Sequence, residues 1–186
     1  MRGVKATAPQ TACRGRRIRA TSPATTRSAD IDASATSGWN SGTGFVPIGA
    51  FSNRFTGRFD RLGHTISNLV IDRPSTDDVG LFGVVEGAPL RNVGLSGGRV
   101  TGRKGFGELV GRNSVGAVSA SYAMGQVSGT ADFICGPVGF NGLGGTVSNS
   151  FWDTETGGQA TSAGGAGTIG RTTAEMKQFA TYAAAG

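Results

Sequence analysis

One phrase is written three times between Val79 and Trp152, and it limits what the chain can fold into more than any other feature. It runs LFGVVEGAPLRNVGL (Leu81 to Leu95), LVGRNSVGAVSASYA (Leu109 to Ala123) and PVGFNGLGGTVSNSFW (Pro137 to Trp152). HTISNLVI (His64 to Ile71) carries a further copy of its second half, which puts Ile66, Leu90, Val118 and Val147 in one column at steps of 24, 28 and 29 residues. Self-similarity at a period of roughly 20–50 residues marks a repeat architecture. A single repeat of this size cannot bury its apolar face, but stacked repeats convert equivalent aliphatic positions into a continuous internal ladder. Leu81, Leu109 and Pro137 form a second such ladder. Short strands joined coil to coil by parallel hydrogen bonds follow. The fold expected is therefore all-β: a right-handed parallel β-solenoid (β-helix), ending in a short C-terminal helix. A globular sandwich is the disfavoured alternative, because its strands need no repeated side chains at repeated corners.

Glycine and asparagine supply the corners. The chain holds 33 glycines in 186 residues, well above the usual ~7%, and they recur at fixed places in the repeat, as tight turns between short strands require. Asn113 and Asn141 occupy equivalent corners after Val-Gly-Arg and Val-Gly-Phe, where Asn tolerates a left-handed backbone. A second corner column is Asn68, Asn92 and Asn149, interrupted by Ala120. In a stacked coil such amides hydrogen-bond along the axis, so a structural role is favoured over a ligand-binding one.

The pattern divides the chain. Residues 1–29 hold seven of the 18 basic residues and none of the 12 acidic ones. They show neither period-2 nor helical patterning, and read as a disordered basic extension. Residues 30–152 are the solenoid and are close to neutral, so the high isoelectric point gives no support to a nucleic-acid partner. Residues 153–170 read as a Gly/Ser/Thr linker. Residues 171–186 read as a short helix and candidate cap, with Thr172 and Glu175 at capping-box spacing and Met176, Phe179 and Ala180 along one edge. Cys13 and Cys135 have neither disulfide-framework nor metal-ligand spacing; Cys135 reads as a small buried hydrophobe. No apolar run is long enough to enter a membrane, and the first residues lack the apolar stretch of a secretory signal.

Taken with FWDTETGGQATSAGGAGTIGRTTAEMKQ (Phe151 to Gln178), the repeats resemble the GLUG-motif segments of filamentous-haemagglutinin-like bacterial surface adhesins. The Gly-Leu-Xaa-Gly phrase appears as Gly80-Leu81-Phe82-Gly83, as Gly107-Glu108-Leu109-Val110-Gly111, and in degenerate form as Gly136-Pro137-Val138-Gly139. The likeness covers about residues 30–178. Glu108 departs from it where Gly is the rule, as do Cys135 and Pro137. The resemblance implies a long, exported, non-catalytic segment of a secreted or cell-surface protein, acting as a stalk or in cell adhesion. Its partner would be a protein or carbohydrate on a host or neighbouring cell.

An enzyme reading stands beside this one, since β-helices host carbohydrate-cleaving sites built from clustered carboxylates. The candidates are Asp60, Asp72, Asp77 and Asp78, with His64, the single histidine, at a corner. Asp77 and Asp78 together are also a candidate calcium pair, though adjacent carboxylates in a polar corner are usually just solvated. No nucleophile elbow, phosphate loop or HExxH helix is present. The expectation is no catalysis, no cofactor and no metal. Trp39, Tyr122 and Trp152 are the candidate surface aromatics, weighed against interior stacking because Tyr122 and Phe151 share a repeat column, next to Ala123 and Trp152.

Overall fold

The computed structural model describes residues 29–129 and 136–178. The chain winds as a parallel β-solenoid of about three full turns between residues 65 and 148. A partial first coil holds β1 (Ile31–Asp32), a 3-10 segment (Ser34–Gly42) and β2 (Phe59–Asp60). The second coil runs β3 (Thr65–Ser67), β4 (Val70–Asp72), β5 (Phe82–Val85) and β6 (Pro89–Arg91). The third holds β7 (Gly94–Gly102), β8 (Val110–Asn113) and β9 (Ala117–Ser119). The fourth holds β10 (Tyr122–Gly129), β11 (Val138–Asn141) and β12 (Thr146–Ser148). β13 (Ser150–Asp153), the one-turn helix α1 (Thr154–Gly157), β14 (Thr168–Arg171) and the one-turn helix α2 (Thr173–Met176) finish the described chain.

Three parallel sheets form the walls. The largest has the order β1-β3-β7-β10-β13-β14, with β4 also on β7; the others are β11-β8-β5 and β12-β9-β6-β2. Side chains at equivalent register positions pile up inside. Phe82, Val110 and Val138 align across one wall, and Ile71, Val100 and Val127 across another. All of these are buried and belong to one core. Leu81, Leu109 and Pro137 sit one residue before the first of these columns and are also buried, so the second ladder stands.

The first ladder needs correction. Leu90, Val118 and Val147 do stack, but the residue above Leu90 is Phe59. Ile66 lies in a different wall, in register with Ile31 above and Leu95 below, and that column continues through Ala123 to Trp152. Strand, left-handed residue, strand is a local unit that occurs at more than one corner of a coil. His64 to Ile71 spells the unit at the β3–β4 corner, whereas Leu90 to Leu95 spells it at the β6–β7 corner. Local similarity therefore matched two corners that do not stack. The 24-residue step, short against 28 and 29, was the visible sign of it.

The two asparagine groups also differ physically. Asn68, Asn92 and Asn149 take left-handed backbones, with φ of 59°, 55° and 45°, and Ala120 adopts the same conformation at 45°. Only Asn92, Ala120 and Asn149 share a column, whereas Asn68 follows Ser67, which is in register with Ser96, and so belongs to another corner, as Ile66 does. Asn113 and Asn141, expected to be left-handed as well, are not; they close their corners through their side chains. The buried Asn113 amide donates to Gly116 O at 3.0 Å and to Asn141 Oδ1 at 2.8 Å, while its own Oδ1 accepts the Gly116 N–H at 2.9 Å. Asn141 donates on to Gly145 O at 3.0 Å. The amides form a ladder along the axis, and it satisfies backbone groups that a corner otherwise strands.

Residues 153–170, read as a linker, carry α1, a 3-10 turn at Gly165–Gly167 and most of β14, which extends the largest sheet in register with β13. Their glycines allow close approach as much as flexibility: a Cβ at Gly167 would fall 1.6 Å from Val147 O. At Thr172–Glu175 the capping box forms, and Met176 is buried against the end of the sheet. Phe179, Ala180, Cys13, Cys135 and the basic extension before Ala29 lie outside the described residues.

Candidate functional site

The carboxylates considered for catalysis are distributed along the coils, and three of the four are held by arginines or amides of the next coil. Asp60 accepts from Arg91 Nε at 2.6 Å, Asn92 Nδ2 at 2.9 Å and the Leu62 N–H at 2.9 Å. The Asn92 hydrogen bond, then that of Leu62, with Arg91 alongside, holds its carboxyl down at about 2. Asp77 takes both arms of Arg103, at 2.8 and 2.6 Å. Asp78 accepts from Arg112 Nε at 3.0 Å. Asp72 lies on β4, where its backbone N–H donates to Thr43 O at 3.0 Å. His64 Nδ1 stands 3.5 Å from Asp30 Oδ1 at the rim of the first coil. With Arg54–Glu86 at 2.6 Å, the arginine–carboxylate pairs act as clamps between successive coils. Among the described residues no group of three or more His, Cys, Asp or Glu side chains could hold a metal ion. No helix there is long and apolar enough to cross a membrane.

Of the aromatics, Trp39 is half exposed and lies 6.4 Å from the Phe45 ring. Trp152 is not on the surface. It is buried, packs against Gly136 and Gly170, and donates from Nε1 to Gln159 O at 2.9 Å. The next residue of its column is Gly170 of β14, whose missing side chain leaves room for the indole. Tyr122 is half-buried; its ring lies over Gly94 and its hydroxyl meets Thr65 Oγ1 at 2.7 Å, two coils away. Tyr122 and Phe151 are paired, as their shared column implies.

Glu108, which departs from the GLUG pattern, has a local cause. Gly97 and Gly98 of β7 lie opposite the single residue Gly125 of β10, a β-bulge between Met124 and Gln126, and a bulge leaves a backbone group unpaired. The buried Glu108 accepts that Gly125 N–H through Oε2 at 2.8 Å. A Cβ at Gly125 would come within 2.6 Å of Glu108 Oε1 and of Gly97 O, so only glycine fits. Burial pushes the Glu108 carboxyl up to about 8; the Gly125 hydrogen bond opposes this and the charge of Asp153 adds to it. At neutral pH it is therefore mostly the uncharged acid. Asp153 is also buried, but hydrogen bonds from Thr173, Thr156 and Glu155 outweigh the burial and leave its carboxyl lowered.

Among the described residues, two concavities on the outer surface stand out. One, of about 260 Å³, opens at the first coil between Trp39, Ile31, Phe45 and Leu69 and is almost wholly apolar. The other, of about 460 Å³, lies between the loop 46–51, the corner 73–78 and Arg112. Neither was visible in the sequence, since each gathers residues from separate coils. Exposed Phe51, in a region without repeat signal, was the one hint.

No family model matches the chain, and no solved structure does. Two curated proteins are similar over part of it. Halomucin of Haloquadratum walsbyi is 43% identical over 118 residues, which is 56% of this chain and 1% of halomucin. A putative Gly-rich membrane protein of Evansella cellulosilytica is 39% identical over 61 residues, or 32% of this chain and 7% of that protein. The chain thus spans a small fraction of the length of both relatives.

Proposed function

We propose that this chain is a structural and adhesive repeat segment of a longer exported surface protein, of the GLUG-motif kind, acting as a stalk or in attachment, without catalysis. The observation that carries the reading is how the chemically capable side chains are used. Asp60, Asp77, Asp78 and Glu86 bridge coil to coil through arginines, and Glu108 and Asn113 satisfy stranded backbone groups. A fold used this way supplies length and a repeating polar outer face. The relatives support the setting: one is named as a membrane protein, and both are many times longer than the matching segment. The partner is a protein or carbohydrate on a neighbouring or host cell.

The test uses the full-length protein in its own cells. Antibody against residues 30–152 labels intact, unpermeabilised cells, and in-frame removal of those residues weakens attachment of the cells to their substratum. Labelling only after permeabilisation, or release of reducing sugar from a polysaccharide by the purified chain, overturns the reading.

A further inference from the structure

The 460 Å³ cleft gathers side chains from three coils, among them Phe51, Arg73, Thr76, Arg112 and two carboxylates, Asp77 and Asp78. Its chemistry is set by what the fold leaves unused. Arg73 donates from Nε to Phe45 O at 3.1 Å and has no carboxylate partner among the described residues, so both of its terminal nitrogens remain as donors. Arg112 uses Nε on Asp78 Oδ1, and its guanidinium lies 4.5 Å from the centre of the Phe140 ring. That fixes its plane and leaves its other nitrogens. Asp78 is held with φ of 53°, an unusual backbone for a non-glycine residue, and its second oxygen takes no hydrogen bond from the described residues. Its side chain is only 10% exposed, and burial raises its carboxyl above the usual value. Phe51 stands 67% exposed at the edge, with Arg54 at 5.1 Å from its ring centre.

The charges tally unevenly. Asp78 is balanced by Arg112 and Asp77 by Arg103, so Arg73 is the unmatched charge, and Lys104 adds further positive potential near Asp78. A ligand that satisfies the cleft carries one planar anionic group for the Arg73 fork. It also carries hydroxyls that donate to the free oxygen of Asp78 and accept from Arg112, and an apolar face for Phe51. An inorganic anion meets only the first requirement, and a fatty acid cannot donate to Asp78. A neutral sugar leaves Arg73 unmatched. The volume lies in the range of small-molecule sites. We propose that this cleft binds a carboxylated saccharide, a hexuronate unit of an acidic polysaccharide, with its carboxylate on Arg73, its hydroxyls on Asp78 and Arg112, and its ring face on Phe51. The assignment rests on the surface-segment reading, for which it names the partner class.

The test is a titration of the intact chain, followed by NMR and calorimetry, with trigalacturonate and with glucuronate. Methyl-esterified trigalacturonate is the neutral control and acetate the bare carboxylate. Trigalacturonate or glucuronate is expected to shift resonances of residues 46–51 and 73–78, with the ester and acetate each at least tenfold weaker. Arg73→Ala loses at least tenfold and Arg73→Lys falls between. Phe51→Ala, at an exposed position that leaves folding intact, loses several-fold. Absence of binding to both uronates, equal binding of the ester, or unchanged affinity in Phe51→Ala overturns the proposal. Such a failure leaves cell-surface labelling and attachment untouched, whereas uronate binding by a chain never found at the surface removes the reading and keeps the site.

Discussion

Replacing Glu108 by Gln isolates the cost of a buried acid inside the solenoid. The wild-type carboxyl ionises at about 8 when folded, against an ordinary value of about 4.5. The folded pKa is the raised one, so the stability tied to keeping this proton is fully present below about pH 4.5. It is lost as pH rises from there through about 8, because the unfolded chain releases the proton first. Each unit of separation is worth about 1.4 kcal/mol. Between pH 4.5 and pH 7 the loss is therefore on the order of 3 kcal/mol, and above pH 8 it approaches on the order of 5 kcal/mol. Glutamine keeps an acceptor for the Gly125 N–H and carries no charge near Asp153. Its variant should match wild type near pH 4.5 and exceed it by about 3 kcal/mol at pH 7. For a chain of this size that is a melting-temperature gap of roughly 6–12 °C. Urea denaturation or thermal melts of both proteins at pH 4.5, 6, 7 and 9 measure it, and the difference between the two curves cancels every titrating group that is not, like Asp153, coupled to Glu108. Parallel curves, with a gap independent of pH, would refute the argument.

Further expectations concern the corners and clamps. Ala120→Asn or Ala120→Gly should stabilise by about 1 kcal/mol, since the exposed Ala120, unlike Asn92 and Asn149 of its column, takes the left-handed backbone without an amide side chain that eases it; no gain in melting temperature counts against that account. Asn113→Leu leaves the Gly116 N–H and Asn141 Oδ1 unmatched in the interior and should cost about 2–3 kcal/mol by denaturation. Asp60→Asn should flatten the acid limb of the stability curve: a carboxyl held at about 2 contributes above its ordinary value and loses that contribution as pH falls through about 2. A melt series from pH 5 to pH 2 shows the difference, and an unchanged acid limb would mean the Asn92 and Arg91 contacts do not persist in solution.

The repeat alone determined the winding. Val118 and Val147 recur at a step close to one coil, and stacked coils turn such equivalent positions into one buried column; the capping box at Thr172 and the pairing of Tyr122 with Phe151 were legible on the same local grounds. Which corner stacks on which could be settled only in three dimensions. Ile66 and Leu90 sit in identical local units, and local chemistry is blind to the wall in which a unit lies. Trp152, a candidate surface aromatic weighed against interior stacking, is buried because its column runs inward from Ala123 and is followed by Gly170. Residues 153–170 looked like a linker because glycine serves flexible chain and tight approach equally well. Glu108 read as a defect in the motif because the bulge that strands the Gly125 amide lies on another strand. The cleft of Arg73 and Asp78 was out of reach for the same reason: charge balance in a cleft is a property of neighbours brought from three coils, and neighbours across coils are what a folded chain adds to its order of residues.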